Sequence, residues 1–257
     1  MPRVEEWLAY ADADVVCLQE TKLADKAFPA LTFQGLGYES VHAGQGQWNG
    51  VAILSRVGIE DVTVGFDARV GGETDIDDYT NGVLNEARLI SANCGGIRVS
   101  SVYVPNGRSL DDPHYGAKLE WLHRLRMHCE VSGSNDRAMV VCGDFNIAPD
   151  DRDVWSTKAF EGSTHISDPE RDRLREFEAG GFRDVFRDLY ADAGLYTYWD
   201  YRAGDFHQHR GMRIDLVLAT ATVADQAVWA VVDRQARKGK LPSDHAPVIV
   251  DFAGFPR

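Results

Sequence analysis

Met139-Val140-Val141-Cys142-Gly143-Asp144-Phe145-Asn146 decides how this chain is read. Met139–Cys142 is an apolar run of strand length with β-branched residues at its centre, as a buried strand requires. Gly143 follows, and Asp144 and Asn146, two residues apart, project from the same side of an extended segment. Taken alone, Asp-x-Asn can equally close an Asx-turn. The same construction recurs elsewhere, however. Gln19-Glu20 follows the run Val15–Leu18, and Asp215 is embedded in Arg213-Ile214-Asp215-Leu216-Val217-Leu218. Asp244-His245 immediately precedes Ala246-Pro247-Val248-Ile249-Val250.

Further runs at Val51–Leu54, Val99–Val104 and Val228–Val232 have the same length and β-branched character. Helical patterns lie between some of them. Leu119, Leu122, Leu125 and Cys129 recur at helical spacing after the breaker Asp112-Pro113. Ser167-x-x-Glu170, with Pro169 in the first turn, predicts a capped helix start, and Gly180-Gly181 its stop. Both strand-to-strand and strand-to-helix connections occur, so the chain is an α/β mixture rather than a strict βαβ alternation. No repeat, low-complexity tract or Pro/Ser-rich linker divides it, and residues 1–257 are expected to form one domain.

Strand ends gathered by a sheet make one rim. A rim carrying Glu20, Asp144, Asp215 and Asp244 with Asn146 and His245 is costly, because like charges repel and shift one another's pKa. A divalent cation reverses that sign. A lone Glu in Leu18-Gln19-Glu20-Thr21-Lys22 reads more simply as a strand end entering a solvated turn. Ser243-Asp244-His245-Ala246-Pro247 says more: adjacent residues of an extended segment point to opposite sides, so Asp244 and His245 do not pair with each other. His245 needs a second carboxylate to hold its tautomer, and Asp215 is the candidate.

Composition sets the outer limits. Of 257 residues, 44% are hydrophobic and 26% charged, an ordinary globular balance, and no window approaches a membrane span. The N-terminus lacks the basic-then-apolar order of a signal peptide. Cys17, Cys94, Cys129 and Cys142 show no CxxC pairing, which argues against a disulfide scaffold or zinc finger and fits a reducing cytoplasm. A net charge of −13 argues against a generally basic nucleic-acid coat. Residues 196–245, with seven Lys or Arg against six acids, leave room for a local basic face, to which His207-Gln208-His209-Arg210 and Arg237-Lys238-Gly239-Lys240 contribute. Short charge runs are usually solvated loops, but these two adjoin the candidate site and supply cations for phosphates.

Seven segments in order resemble the exonuclease III type of abasic-site endonucleases, within the endonuclease/exonuclease/phosphatase superfamily. They are Leu18–Lys22, Trp48-Asn49-Gly50-Val51-Ala52, Tyr103-Val104-Pro105-Asn106-Gly107, Gly143–Asn146, Thr197-Tyr198-Trp199-Asp200-Tyr201, Arg213-Ile214-Asp215 and Ser243–Pro247. The resemblance runs from about Arg3 to the C-terminus. It implies a four-layer α/β sandwich: two packed mixed sheets covered by helices, with the site at one rim. It implies Glu20 as the main ligand of Mg²⁺, with Mn²⁺ as the alternative ion, and Asp244 as a further acid near the metal. Asp144 matches the acid that positions or deprotonates the attacking water, with Asn146 orienting the same group. His245 matches a His contacting the scissile phosphate, and Asp215 its carboxylate partner. Tyr103 and Asn106 match phosphate-contacting residues, and Asn49 falls in a substrate-binding segment. Tyr198, Met212 and Ile214 match the apolar pocket for a flipped-out abasic sugar, although the family often carries a bulkier aromatic where Met212 stands.

The activity so implied is Mg²⁺-dependent incision 5′ to abasic sites in double-stranded DNA, leaving a 3′-hydroxyl. Exonuclease action 3′→5′ and removal of 3′-phosphates would accompany it in base-excision repair. The expected protein is a cytoplasmic monomer, associated with the nucleoid during repair. Another superfamily phosphodiesterase, acting on lipids, inositol phosphates or RNA, is the second reading. The family's usual first strand, ending in a Trp-Asn-x-Asn-like motif, is not in the sequence. The expectation is a start codon assigned downstream of the true one. A truncated chain with a weakened metal site and an open strand edge, binding DNA lesions without cutting them, is the alternative.

Overall fold

The computed structural model describes residues 2–70, 76–132 and 137–255. In chain order the principal elements are helix α1 (Pro2–Ala11), β1 (Val15–Gln19), α2 (Ala30–Gly35), β2 (Glu39–Ala43), β3 (Val51–Ser55), β4 (Glu60–Val64), α3 (Asp78–Leu84), β5 (Leu89–Cys94) and β6 (Ile97–Tyr103). There follow α4 (Pro113–Ser132), β7 (Met139–Asp144), α5 (Asp168–Ala179), β8 (Phe182–Asp184), α6 (Val185–Leu189), β9 (Asp215–Thr220), β10 (Ala227–Val232) and β11 (Val248–Phe252). The seven runs expected to be strands from their apolar character are all strands.

Alternation of side chains builds the layers. Six strands in the order β4-β5-β6-β7-β9-β8 form a mixed sheet in which only β6 and β7 run parallel. One face buries Val102, Val141, Leu216 and Leu218 against Trp121, Leu122 and Leu125 of α4 and Phe177 of α5. The opposite face meets a second β layer in two places. Ile90, Val99 and Tyr103 pack on Val51 and Ile53 of the β1-β3-β2 sheet, and Val140, Val217 and Ala219 pack on Val248 and Val250 of the β10–β11 hairpin. Outside β1 and β3, Val16 and Leu54 are covered by Leu8 of α1 and Phe33 of α2. The order helix, sheet, sheet, helix is the expected four-layer sandwich. Among the described residues β1 pairs only with β3 and β11 only with β10, so each leaves one edge unpaired.

Two local features act on the site. A Cβ at Gly143 (φ 140°) would lie 2.1 Å from the Val102 carbonyl and 2.9 Å from the Gln19 amide, so only glycine lets the two sheets approach there. Helix α5 begins with the expected capping box, Ser167 and Glu170 bonding reciprocally, and Gly180 ends it. Glu170 is also fully buried and forms an ion pair with the equally buried Lys118, which donates to the carbonyls of Asn106 (3.2 Å) and Asn146 (2.8 Å).

Candidate active site

Strand register assembles the centre. Tyr103, Asp144 and Asp215 stand directly opposite one another on β6, β7 and β9, in one row across the rim of the six-stranded sheet. Loops complete it from both sides. Glu20 follows β1, and the Tyr103 hydroxyl donates to its Oε1 at 2.5 Å while Lys22 Nζ lies 2.6 Å from its Oε2. Burial alone would raise the Glu20 pKa, but these two partners outweigh it and hold the carboxylate below its ordinary value.

Asp144 is 4% exposed. Its Oδ1 accepts the Asn146 backbone N–H at 2.8 Å and its Oδ2 the Asn146 amide at 3.1 Å. That amide also donates to the Val104 carbonyl (2.9 Å), and Asn106 donates to Asn146 Oδ1 at 3.2 Å. The Asp-x-Asn is therefore both an Asx-type turn and the bridge between the acid and the exposed Asn106. Burial raises the Asp144 carboxyl to about 7, with Asp215 and Glu20 adding to the rise and His245 opposing it.

His245 Nδ1 lies 2.8 Å from Asp215 Oδ2 and 3.1 Å from Oδ1, the partnership expected from the sequence. Asp215 is itself fixed by Thr197, whose hydroxyl oxygen accepts the backbone N–H groups of Ile214 and Asp215, both at 3.1 Å. Burial opposes protonation of His245, but Asp215 first, then Asp144 and Asp244, lift it to about 10, so at neutral pH the ring is an imidazolium. The Asp244 side chain makes no hydrogen bond or ion pair among the described residues, yet its charge reaches both His245 and Lys22.

The Tyr198 ring packs 5.0 Å from that of His245 and closes onto Ala148, Val154, Met212 and Ile214. Met212 and Ile214 are 4% and 2% exposed, so the expected pocket residues do converge, but these two form its buried floor and only Tyr198 faces outward. Asn49 is buried too, donating to Gln45 Oε1 at 3.1 Å behind the Glu20 turn. The two basic runs are mostly engaged by the fold. Arg210 pairs with Asp205, and Arg237 is buried among Trp199, Phe206 and Tyr201 and donates to the carbonyls of Trp199 and Asp244. Lys238 and Lys240 remain exposed beside a cleft of about 340 Å³ lined in part by Tyr201, Phe206 and Arg237.

One site residue has no motif to announce it. His165 Nδ1 is 2.6 Å from the Asn146 carbonyl and Nε2 is 3.5 Å from the Asn106 amide. Burial, then Lys118, lowers its pKa to about 4, so this imidazole is neutral. The only sequence signal was its place two residues before the capping Ser167.

Among the described residues no three His, Cys, Asp or Glu side chains converge closely enough to cage an ion. The donor set, oxygen from one or two carboxylates, fits a hard divalent cation that keeps most of its water. Glu20, anionic and half-exposed, offers one such carboxylate, and the half-buried Asp244 stands nearby.

An acid near neutrality, an imidazolium–carboxylate pair and an anionic metal-type ligand on one rim define a phosphoester hydrolase. The chain belongs to the Endonuclease/Exonuclease/phosphatase family, which it matches over residues 2–245. That family consists of hydrolases dependent on divalent metal ions, and this chain is a hydrolytic nuclease. It is 30% identical over 251 residues to exodeoxyribonuclease III of Haemophilus influenzae, covering 93% of this chain and 90% of that protein. An AP endonuclease from Archaeoglobus fulgidus superposes with a TM-score of 0.89 at 34% identity, covering 98% of this chain and 93% of the other. A 3′ phosphatase from Neisseria bound to a product DNA hairpin gives 0.88, with the same identity and coverage.

Proposed function

We propose that this DNA-repair nuclease incises double-stranded DNA 5′ to abasic sites, leaving a 3′-hydroxyl, and that the same site trims 3′ ends and removes 3′-phosphates. The observation that carries the reading is the contact of Tyr198 with His245, which sets an apolar wall directly beside the phosphate-facing imidazolium. A sugar without its base fits against such a wall and costs least to flip out, whereas an intact nucleotide must also bring its base.

Each side chain then has a task. Asp144, near neutrality and aligned by Asn146, accepts the proton of the attacking water. His245, held by Asp215, donates to a non-bridging phosphate oxygen as charge builds there. Tyr103 and Asn106 face the same phosphate. Glu20, with Asp244 nearby, holds Mg²⁺, for which Mn²⁺ can substitute. When bound, that ion supplies charge neutralisation at the phosphate and leaving oxygen. Exposed Lys238 and Lys240 meet flanking phosphates without reading sequence. The protein would work as a single-domain monomer in the cytoplasm, visiting the nucleoid during repair.

The test is a duplex oligonucleotide with one tetrahydrofuran abasic analogue, incubated with the protein in Mg²⁺ and then in EDTA. One metal-dependent cut 5′ to the analogue is expected. Release of 3′-phosphate without that cut would confine the enzyme to strand ends. Binding without either reaction would make the chain a lesion-binding module.

A further inference from the structure

The Glu20 carboxylate leaves the end of β1 on an unusual turn. Glu20 (φ 51°) and Lys22 (φ 54°) both occupy the left-handed region, which side-chain-bearing residues rarely adopt and which surrounding contacts must enforce. Thr21, between them, makes the enforcing contact. Its Oγ1 is 2.8 Å from His42 Nε2. The other ring nitrogen, Nδ1, lies 2.9 Å from Asp25 Oδ1, off the direction of a well-aligned hydrogen bond. Asp25 is itself anchored by the Gly44 N–H at 2.8 Å.

The imidazole is built in rather than resting on the surface. Its side chain is 4% exposed, and Phe28 stacks on one face at 4.3 Å with a 12° tilt. Two glycines make room for the chain of contacts. A Cβ at Gly44 would strike His42 Cε1 at 2.3 Å, and one at Gly50 would strike Thr21 Oγ1 at 2.1 Å. His42 comes from β2 and Thr21 follows β1, with β3 between them, so the contact staples the two outer strands across the end of the central one. The turn is closed on its other side by Thr21 N–H donating to the Gly50 carbonyl (3.1 Å) and Lys22 N–H to that of Asn49 (2.9 Å). Among the described residues Thr21 and His42 form no hydrogen bond or ion pair with Asp144, Asp215 or His245; Thr21 instead adjoins Glu20, whose carboxylate accepts the Tyr103 hydroxyl.

We propose that Asp25, His42 and Thr21 form a positioning relay that fixes the direction of the Glu20 carboxylate and so sets the affinity of the nuclease for its divalent ion. This rests on Glu20 as the metal ligand. Asp25 sits against Nδ1 of the ring, Nε2 of His42 accepts the Thr21 hydroxyl, and the pinned hydroxyl keeps the left-handed turn from relaxing. Outer partners of metal ligands act in this way, orienting a donor without touching the ion.

The experiment measures Mn²⁺ binding to the full-length protein by loss of the free-ion electron paramagnetic resonance signal, alongside the Mg²⁺ midpoint and saturating kcat on an abasic duplex. Glu20→Gln tests the underlying assignment, and unchanged Mn²⁺ affinity there would remove Glu20 from the metal site. Given a loss in Glu20→Gln, His42→Ala and Thr21→Val are each expected to weaken Mn²⁺ about tenfold. Saturating kcat should change far less. The double variant should lose no more than either single one, because both break the same link. Thr21→Ser, which keeps the hydroxyl, is expected to retain wild-type affinity. Unchanged Mn²⁺ affinity in Thr21→Val, or additive losses in the double variant, would overturn the relay. If His42→Ala fails to fold, the comparison of Thr21→Val with Thr21→Ser decides the matter alone.

Discussion

Replacing Asp215 by Asn keeps the side chain's shape and removes only its charge. His245 Nδ1 sits 2.8 Å from Oδ2, a separation at which opposite unit charges attract by about 6 kcal/mol at an effective dielectric constant of 20. The pair is not sealed from water: the His245 and Asp215 side chains are 26% and 15% exposed. Screening, and the hydrogen bond that an amide oxygen can still accept, remove about half of that energy and leave ~3 kcal/mol. If the imidazolium acts on charge that develops only during phosphate attack, the loss belongs to turnover and amounts to about 10²-fold. Single-turnover cleavage of an abasic duplex in Mg²⁺ measures it. Fluorescence anisotropy of the same duplex in EDTA measures affinity, expected to move by no more than about threefold. Equal losses in cleavage and affinity would refute the reasoning, because His245 would then hold ground-state DNA rather than the transition state.

Two further substitutions probe the scaffold and the pocket. Asp153 is fully buried between Arg213 and Arg187; burial alone would raise its pKa, but Arg213 and then Arg187 hold it below the usual 3.8. A depressed carboxyl stabilises the fold above its unfolded pKa and loses that contribution as pH falls through the folded value. Asp153→Asn is therefore expected to cost about 3 kcal/mol at pH 7 and to flatten the acid limb below about pH 4 in urea titrations. An acid limb as steep as the wild type's would contradict this. Tyr198→Ala removes the outward wall beside His245 and should shrink the preference for abasic over intact duplex about tenfold, read as a ratio of Kd values. An unaltered ratio would place lesion recognition elsewhere.

The strands that sequence revealed carry runs of apolar, mostly β-branched side chains: Val51–Ser55 is buried throughout, while Ala227–Val232 was legible from the same pattern although Val228 and Trp229 are exposed. Those it concealed lie at edges or carry small and polar residues. Glu60–Val64 is exposed throughout, Phe182–Asp184 has three residues, and Leu89–Cys94 is interrupted by Ser91 and Asn93. The site divides similarly. Asp144, Asp215 and His245 stand at the ends of apolar runs, so their chemistry was visible, but only strand register shows that Tyr103 stands in one row with Asp144 and Asp215. His42, Lys118 and His165 reach the site through contacts 12 to 52 residues distant in sequence, with no local spacing to mark them. Arg213, two residues before Asp215, serves the scaffold: its guanidinium is locked between Asp153 and Asp184.

The left-handed residues at the rim set resistance to heat against activity. Glu20, Lys22 and His165 hold φ values of 51°, 54° and 78°, each at a cost on the order of 1–3 kcal/mol that glycine would relieve. Selection for thermal robustness alone would therefore favour Gly at these turns and yield descendants that fold better and cut worse.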